Sequence, residues 1–367
     1  MSEYLFIIVW LAAMALFQCF VETDVIISIE GKKKRRKTWW YVILVVSALV
    51  FASTFRDRNF TDTPVYISTF GSMPTSFSAF PTFYSGLTKD KWFYAFEALV
   101  HIFISEDYRV LFFIIAAIQM YSLAKLYRKY SADFLIAIFI FVTCGDYLSW
   151  MHNGIRQFTA VSICLLATTW MIERKYIPAI ITIVIASFFH QTALLMIPIF
   201  LVCIGEPWNK RTLLVLVLIL LSIAFVSQFT NWLDAALDDT QYTNVVTDWK
   251  SWNDDGTNPI RVLVYSIPAL ISIVGLRYIR NENDRVINFC TNMSIVAAGL
   301  YLLSMVTSGI FMGRLPIYAS LYSNGILLPW EIKNIFNRES SRFIRIAMII
   351  GFVLFYLYQI HYQWRLI

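Results

Sequence analysis

The sequence predicts an all-α polytopic membrane protein. Three observations carry this expectation. First, 58% of the residues are hydrophobic and the mean hydropathy is +0.62, well above the roughly 45–50% apolar content of soluble domains. Second, the apolar residues fall in long uninterrupted blocks, most of them near the ~20 residues that a helix needs to cross a bilayer core. Third, Lys and Arg gather in the segments between blocks, the pattern that marks cytoplasmic loops.

Taken in order, the blocks predict spans near 3–21, 39–55, 109–127, 134–150, 155–172, 176–189, 191–204, 212–229, 260–279, 287–309, 314–330 and 344–362. That makes about 12 transmembrane or re-entrant helices. The run from Met1 to Val21 lacks the basic start and small-x-small cleavage site of a signal peptide, so it reads as a retained helix. The pair 176–189 and 191–204 is too short for two comfortable crossings and reads as a tight hairpin or a re-entrant pair. KWFYAFEALVHIFIS (91–105) carries Glu97 and His101 among aromatics and reads as an in-plane interfacial helix. No repeat or linker interrupts the chain, so residues 1–367 form one membrane domain on this reading.

Charge sets the orientation. GKKKRRK (31–37) fixes the first loop as cytoplasmic. With 91–105 in-plane, 20 of the 30 Lys and Arg fall inside and both termini lie outside. The basic pI of about 9.0 then reflects inner loops rather than a nucleic-acid partner. Cys19, Cys144, Cys164, Cys203 and Cys290 all sit in apolar blocks without paired or metal-like spacing, so they read as helix filler.

Two outer loops follow, 56–108 with the in-plane helix and 229–258. Ten cations are left outside: Arg56, Arg58, Lys89, Lys91, Arg109, Arg156, Lys250, Arg261, Arg314 and Arg365. Arg56, Arg58, Arg156 and Arg314 each stand at the outer end of a span, and His190 at the tip of the short hairpin. Near-membrane ionisable residues are functional hypotheses by default, and these five are expected to converge on one outward-facing pocket.

In FRDRNFTDTPVY (55–66), Arg56 and Arg58 bracket Asp57, and Asp62 and Tyr66 follow. This is either a basic anchor neutralised by Asp57 or an anion site, because guanidinium forks match phosphate oxygens bidentately. In MHNGIRQF (151–158), Asn153 and Gly154 signal a turn, and Arg156 and Gln157 open the next helix. An Arg at a helix N-terminus opposes the macrodipole, a mismatch that a bound anion relieves; a polar turn with a snorkelling Arg competes with that reading. FFHQTALL (188–195) places His190 and Gln191 between apolar half-helices, which are tolerated at membrane depth where they line a cavity. Histidine also suits proton transfer near neutral pH. In SGIFMGRLPIYASLY (308–322), Gly309, Gly313 and Pro316 loosen a helix start around Arg314, as a kinked packing position or as another cationic arm. The 229–258 loop sets Asp234, Asp238, Asp239, Asp248, Asp254 and Asp255 beside Trp232, Trp249 and Trp252. Aromatics beside carboxylates suit carbohydrate, but alone this loop reads as a solvated acidic segment with interfacial Trp anchors.

Taken together, FRDRNFTDTPVY, NGIRQFTA, FHQTALL and GRLPIYASLY resemble the EpsG-type exopolysaccharide and O-antigen polymerases, the Wzy-like family. The likeness covers essentially the whole chain, and its specificity lies in the ordered set. Where such families often carry a Gly before the Asp-x-x-Tyr element, this chain has Asn59, Phe60 and Thr61.

The resemblance implies a GT-C-like fold and a membrane glycosyltransferase on the outer face of the bacterial cytoplasmic (inner) membrane. Its substrate would be undecaprenyl-diphosphate-linked oligosaccharide. The growing glycan would leave its lipid diphosphate for the nonreducing sugar of the next lipid-linked unit, with no metal, cofactor or nucleotide sugar. A chain-length regulator and the flippase of the same pathway are candidate partners, besides membrane lipid. On this reading Arg56, Arg58, Arg156 and Arg314 hold the diphosphate, where charge grows as the glycosidic bond breaks. His190 is the first choice of base, with His152 and Asp57 behind it. Asn153, Gln157, Gln191, Asp62 and Tyr66 orient the substrate. The alternatives are a lipid-linked oligosaccharide flippase, which would show pseudo-symmetry and cations deep in a central cavity, and a GT-C O-antigen ligase, separated from a polymerase by the resemblance alone.

Overall fold

A computed structural model describes residues 3–29, 32–88, 90–237, 249 and 251–363. Lys89, Asp238, Asp239, Asp248, Lys250 and Arg365 lie outside the described residues. The chain divides into two compact units, Met1–Leu194 with Phe343–Ile367, and Leu195–Arg342.

The first unit is built on α1 (Glu3–Phe17), α2 (Trp39–Thr54), α6 (Tyr108–Tyr130), α7 (Phe134–Thr143), α8 (Gly145–His152), α9 (Ile155–Ile172) and α10 (Tyr176–Phe189). Polar side chains tie these apolar helices to each other's backbone. The Tyr41 hydroxyl donates to the Met14 carbonyl (2.8 Å) and Trp10 Nε1 to that of Leu44 (3.0 Å). Helix starts follow the capping rule: Asp107 and Asp133 accept from backbone N–H groups two or three residues on. The last helix, whose regular part is Arg338–Tyr358, returns the chain to this unit. There Tyr356 donates to the Tyr4 carbonyl (3.0 Å) and Arg345 pairs with Asp133 (2.7 Å).

The 56–108 loop is largely helical. It contains α3 (Thr63–Gly71), α4 (Phe80–Gly86) and α5 (Lys91–Phe103), the last matching the helix expected near 91–105. Phe70, Met73, Phe93, Ala98 and Val100 pack with Leu111, Ile115 and Ile155 into one apolar cluster. That cluster fixes these short helices over the starts of α6 and α9.

GKKKRRK is not irregular. β2 (Lys32–Lys37) pairs antiparallel with β1 (Asp24–Ile29), Val25 opposite Arg36 and Ile27 opposite Lys34. Acids absorb the basic strand: Asp24 bonds Arg35 (2.7 Å) and Lys37 (3.0 Å), and Glu22 bonds Arg35 (3.1 Å). A hairpin is favoured because DVIISI is rich in β-branched residues, and like charges at successive positions of the basic strand point to opposite faces.

In the second unit, α12 (Lys210–Ala224), α13 (Val226–Leu237), α14 (Pro259–Val274), α15 (Leu276–Glu282) and α16 (Arg285–Met305) form the main body. Asn292 anchors it, accepting from Trp208 N (2.8 Å) and donating to the carbonyls of Cys203 (3.0 Å) and Glu206 (2.9 Å).

Four helices among the described residues are long and apolar enough to cross a membrane: Tyr108–Tyr130, Ile155–Ile172, Arg285–Met305 and Arg338–His361. The number rises to at most seven if each bent pair is one span. The bends are 74° between α7 and α8, 106° between α12 and α13, and 72° between α14 and α15. Four shorter apolar helices add to these: Tyr4–Phe17, Trp39–Thr54, Tyr176–Phe189 and Gln191–Cys203. The expected spans near 134–150, 212–229 and 260–279 are therefore broken rather than straight. Two of the three breaks have a local device. The Gly145 N–H, released from the helix ladder, donates to Gln359 Oε1 (2.9 Å). At Gly275 the Ile335 side chain packs where a Cβ would stand.

Candidate functional site

Three sequence elements meet in the first unit, around the turn between α8 and α9. Asn153 is the junction. Its Oδ1 accepts from the Thr61 hydroxyl and its carbonyl from the Tyr66 hydroxyl (2.5 Å), while its Nδ2 donates to Ser149 Oγ (3.1 Å). Thr61 sits at φ 39°, in the left-handed region. A β-branched residue is strained there, whereas Gly is not. The residue before Asp62 is thus a left-handed joint, tied by its hydroxyl to Asn153.

Arg56 ends α2 and points inward. It is 5% exposed, donates from Nε to Thr63 Oγ1 (3.1 Å) and stacks 3.8 Å from the Phe112 ring centroid. Its Nη2 is buried without a partner. Burial pushes this guanidinium down to about 10, against the raising influence of Tyr4 and Tyr66, so it stays cationic at neutral pH. Arg58 points outward, donating to the Tyr108 hydroxyl (2.9 Å). No carboxylate lies within ion-pair distance of Arg56 or Arg58 among the described residues; Asp57, exposed, instead accepts from Asn59 N (2.8 Å). Asp62 is exposed at the start of α3 and makes no side-chain cap bond.

Arg156 opens α9, whose first turn Gln119 holds by donating to Thr159 Oγ1 (3.1 Å) and the Ile155 carbonyl (3.5 Å). The Arg156 Nη1 bonds Asp90 Oδ2 (2.5 Å) and the Tyr94 hydroxyl (3.4 Å). Tyr66 interacts electrostatically with both Arg56 and Arg156, so the two cations share one neighbourhood. One residue on, Gln157 Nε2 donates to Thr192 Oγ1 (3.4 Å), which also bonds His190 Nδ1 (2.7 Å). The NGIRQ and FHQT elements are thereby joined, 35 residues apart. His190 itself is extended (φ −159°) where α10 stops, half-buried, with Gln191 exposed beside it.

His152 has a different setting. It is 1% exposed, with Nδ1 bonded to the Tyr4 hydroxyl (3.1 Å) and Nε2 to Ser53 Oγ (2.9 Å). Both ring nitrogens are spent on joining α1, α2 and α8. His152→Leu is expected to lower the unfolding midpoint, because two buried hydroxyls lose a partner at about 1–3 kcal/mol each. Thermal unfolding of purified protein checks this, and turnover per folded molecule is expected to survive.

Arg314 belongs to the second unit. Half-buried, its guanidinium has no partner there among the described residues. Its segment is positioned by Asp254, whose carboxylate accepts from Ser308 Oγ (2.6 Å), Gly309 N (3.0 Å), Ile310 N (3.0 Å) and Gly256 N (3.1 Å). Gly256, at φ +86°, lies against the Met305 carbonyl, so closely that a Cβ would stand 2.5 Å from that oxygen. Burial raises the Asp254 carboxyl, but these four bonds outweigh it and hold it below the usual carboxylate range. A depressed folded value stabilises above the unfolded value of about 3.9 and is lost as pH falls through the folded one. Asp254→Ala is expected to cost about 2 kcal/mol or more, read as a lower midpoint at pH 7 and a smaller loss on acidification than wild type shows. Of the loop's tryptophans, Trp249 is 5% exposed and packs with Ile219, Leu303 and Met312, whereas Trp232 and Trp252 are exposed.

Sequence reasoning missed Asp90, Tyr94 and Gln119 as neighbours of Arg156, and left Glu97 outside the site. The usable signal was spacing. Asp90, Tyr94 and Glu97 lie four and three apart, a single helix face.

No curated protein and no solved structure matches the chain. The family model described as EpsG family matches residues 39–365, nearly the full 367, and takes in all four motif regions. The chain belongs to the EpsG family.

Proposed function

We infer from membership in the EpsG family a membrane protein of polysaccharide-polymerase type. We propose that it joins undecaprenyl-diphosphate-linked oligosaccharide repeat units on the outer face of the bacterial cytoplasmic membrane, passing the growing glycan to the nonreducing end of the next unit. The observation that carries this reading is Arg56: a buried cation, with no carboxylate within ion-pair distance among the described residues and one guanidinium nitrogen unbonded there. Burying a charge without its counter-charge is costly, and an incoming diphosphate supplies it. Arg58 and Arg156 extend the positive surface of the first unit. His190 accepts the acceptor hydroxyl's proton as that oxygen attacks the anomeric carbon, while the bond to the lipid diphosphate breaks and its electrons stay on the departing oxygen. Asn153, Gln157 and Tyr66 hold the loops that carry these groups.

The lipid half of the substrate has a matching feature. An apolar cavity of about 1090 Å³ runs along α1, α2 and α6, walled by Phe6, Trp10, Trp39, Phe51, Phe113 and Tyr121. It follows α2 from Trp39 to Phe55, about 24 Å at ~1.5 Å per residue. That is most of the ~30 Å hydrocarbon core, longer than one leaflet, and suits a polyprenyl tail. It ends at Phe55, Asp107 and Arg109, beside the FRDR element.

The test is polymerisation by purified protein given a defined lipid-diphosphate oligosaccharide and no nucleotide sugar. A ladder of lengthening glycans is the expected result. Transport across a vesicle without elongation would instead identify a flippase.

A further inference from the structure

Glu97 is the most unusual side chain near Arg156. It is fully buried in α5, and neither carboxyl oxygen has a hydrogen-bond partner. It shares a helix face with Asp90 and Tyr94, the two groups that bond Arg156 (2.5 and 3.4 Å). Arg156 is also the charge whose field reaches the Glu97 carboxyl. An ionised carboxylate with no donors is expensive in such a place, and a structural role leaves no trace, since the group bonds nothing. A protonated carboxyl, by contrast, carries an O–H donor.

The charge balance shows its use. Arg156 is already matched by Asp90. A second carboxylate on the same face would repel an incoming anion, while a neutral acid there adds a donor without adding charge. We propose that Glu97 is a substrate-contacting group that stays protonated and donates a hydrogen bond to the diphosphate oxygens held by Arg156. This rests on the reading of Arg156 as a diphosphate ligand. No proton is transferred; the bond strengthens as charge grows on the departing oxygen.

Burial raises the Glu97 carboxyl to about 8, against the lowering effect of Arg156. The titratable groups at the ends of the elements packed against α5 nearest the outer loop include Tyr66 on α3, Tyr84 on α4, Tyr108 and Arg109 on α6, and His190 after α10; α5 itself carries Lys91, Tyr94 and His101, with Asp90 at its cap, and α6 and α10 also carry Tyr121, Lys125, Tyr127, Arg128, Lys129, Tyr130 and Tyr176. Because the neutral form is the active one, anion binding is retained below that value and lost as pH rises through it.

The probe is inorganic pyrophosphate, titrated calorimetrically into protein in nanodiscs between pH 6.5 and 9.5, for wild type, Glu97→Gln and Glu97→Leu. Glu97→Gln keeps a neutral donor, so binding at pH 7 within about threefold of wild type is expected, without the weakening near pH 8. Glu97→Leu is expected to bind about tenfold more weakly or worse, the loss of a hydrogen bond to a charged group, with a midpoint equal to or above wild type. Wild-type affinity in Glu97→Leu, an unchanged alkaline fall in Glu97→Gln, or no pyrophosphate binding by wild type would each overturn the assignment. Should wild type bind pyrophosphate with a Glu97-dependent fall but never extend a glycan, the polymerase reading falls and this assignment stands.

Discussion

Arg156→Ala is expected to abolish long polymer while single capped repeats persist. If Arg156 stabilises the charge on the departing diphosphate, its loss falls on the chemical step, at about 100-fold or more. A confounding effect is built into the geometry. The Asp90 side chain, 9% exposed, loses the cation 2.5 Å away, and removing one partner of a buried pair costs ~3–5 kcal/mol. The double variant Arg156→Ala with Asp90→Asn separates the two, because it leaves no excess carboxylate. It is expected to regain the wild-type unfolding midpoint and to remain inactive. Asp90→Asn alone releases Arg156 from its internal anion and is expected to bind pyrophosphate more tightly. Glycan ladders on gels read the outcome in cells; unchanged ladders from Arg156→Ala present at wild-type levels would remove Arg156 from the site.

The Asp90 carboxylate also bears on how Arg156 meets a substrate. On the proposed reading a phosphate oxygen would displace it from Arg156. Asp90 itself is at φ 46°, a left-handed residue at the joint between the outer loop and α5.

How much of this was legible in the sequence depends on the distance over which each signal acts. The apolar blocks located the helices because hydropathy is a local sum, and Asp107, Asp133, Asn209, Asn258 and Asp284 mark starts because a cap bonds its own next turn. The same sum averages over a bend. The 74°, 106° and 72° breaks left no trace in it, since a window of about 18 residues sums across both arms of each pair. The basic run 32–37 hid its strand, because six cations read as solvent whatever their backbone does. For the site, Arg56, Arg156 and His190 were visible as cations and a histidine where few are expected. Their partners were not. Asp90 lies 66 residues from Arg156 in a polar stretch like any other loop, and nothing local says which carboxylate an Arg will meet. His152 shows the converse. As a histidine beside the NGIRQ motif it looked available for chemistry, and only the Tyr4 and Ser53 hydroxyls, 148 and 99 residues away, show it to be occupied.

His190→Ala is expected to lower kcat by about 100-fold or more, within the range for losing a positioned general base, while KM changes little. The reason is geometric. Imidazole acts as a base only when the nitrogen that takes the proton faces the acceptor hydroxyl, so ring orientation matters as much as basicity. Thr192 fixes that orientation through its bond to Nδ1 (2.7 Å), and Gln157 ties Thr192 to the helix that begins with Arg156 (3.4 Å). His190, at the end of α10, and Arg156, at the start of α9, are thus linked through Thr192 and Gln157. Thr192→Val is then expected to slow turnover by about tenfold, and Thr192→Ser to restore it, without any change in pyrophosphate binding. The pH profile adds a second readout. The alkaline fall proposed for Glu97, whose carboxyl burial raises to about 8, should persist in His190→Ala; its disappearance there would detach that fall from Glu97. Turnover by purified His190→Ala at more than about a tenth of wild type would remove His190 from the role of base.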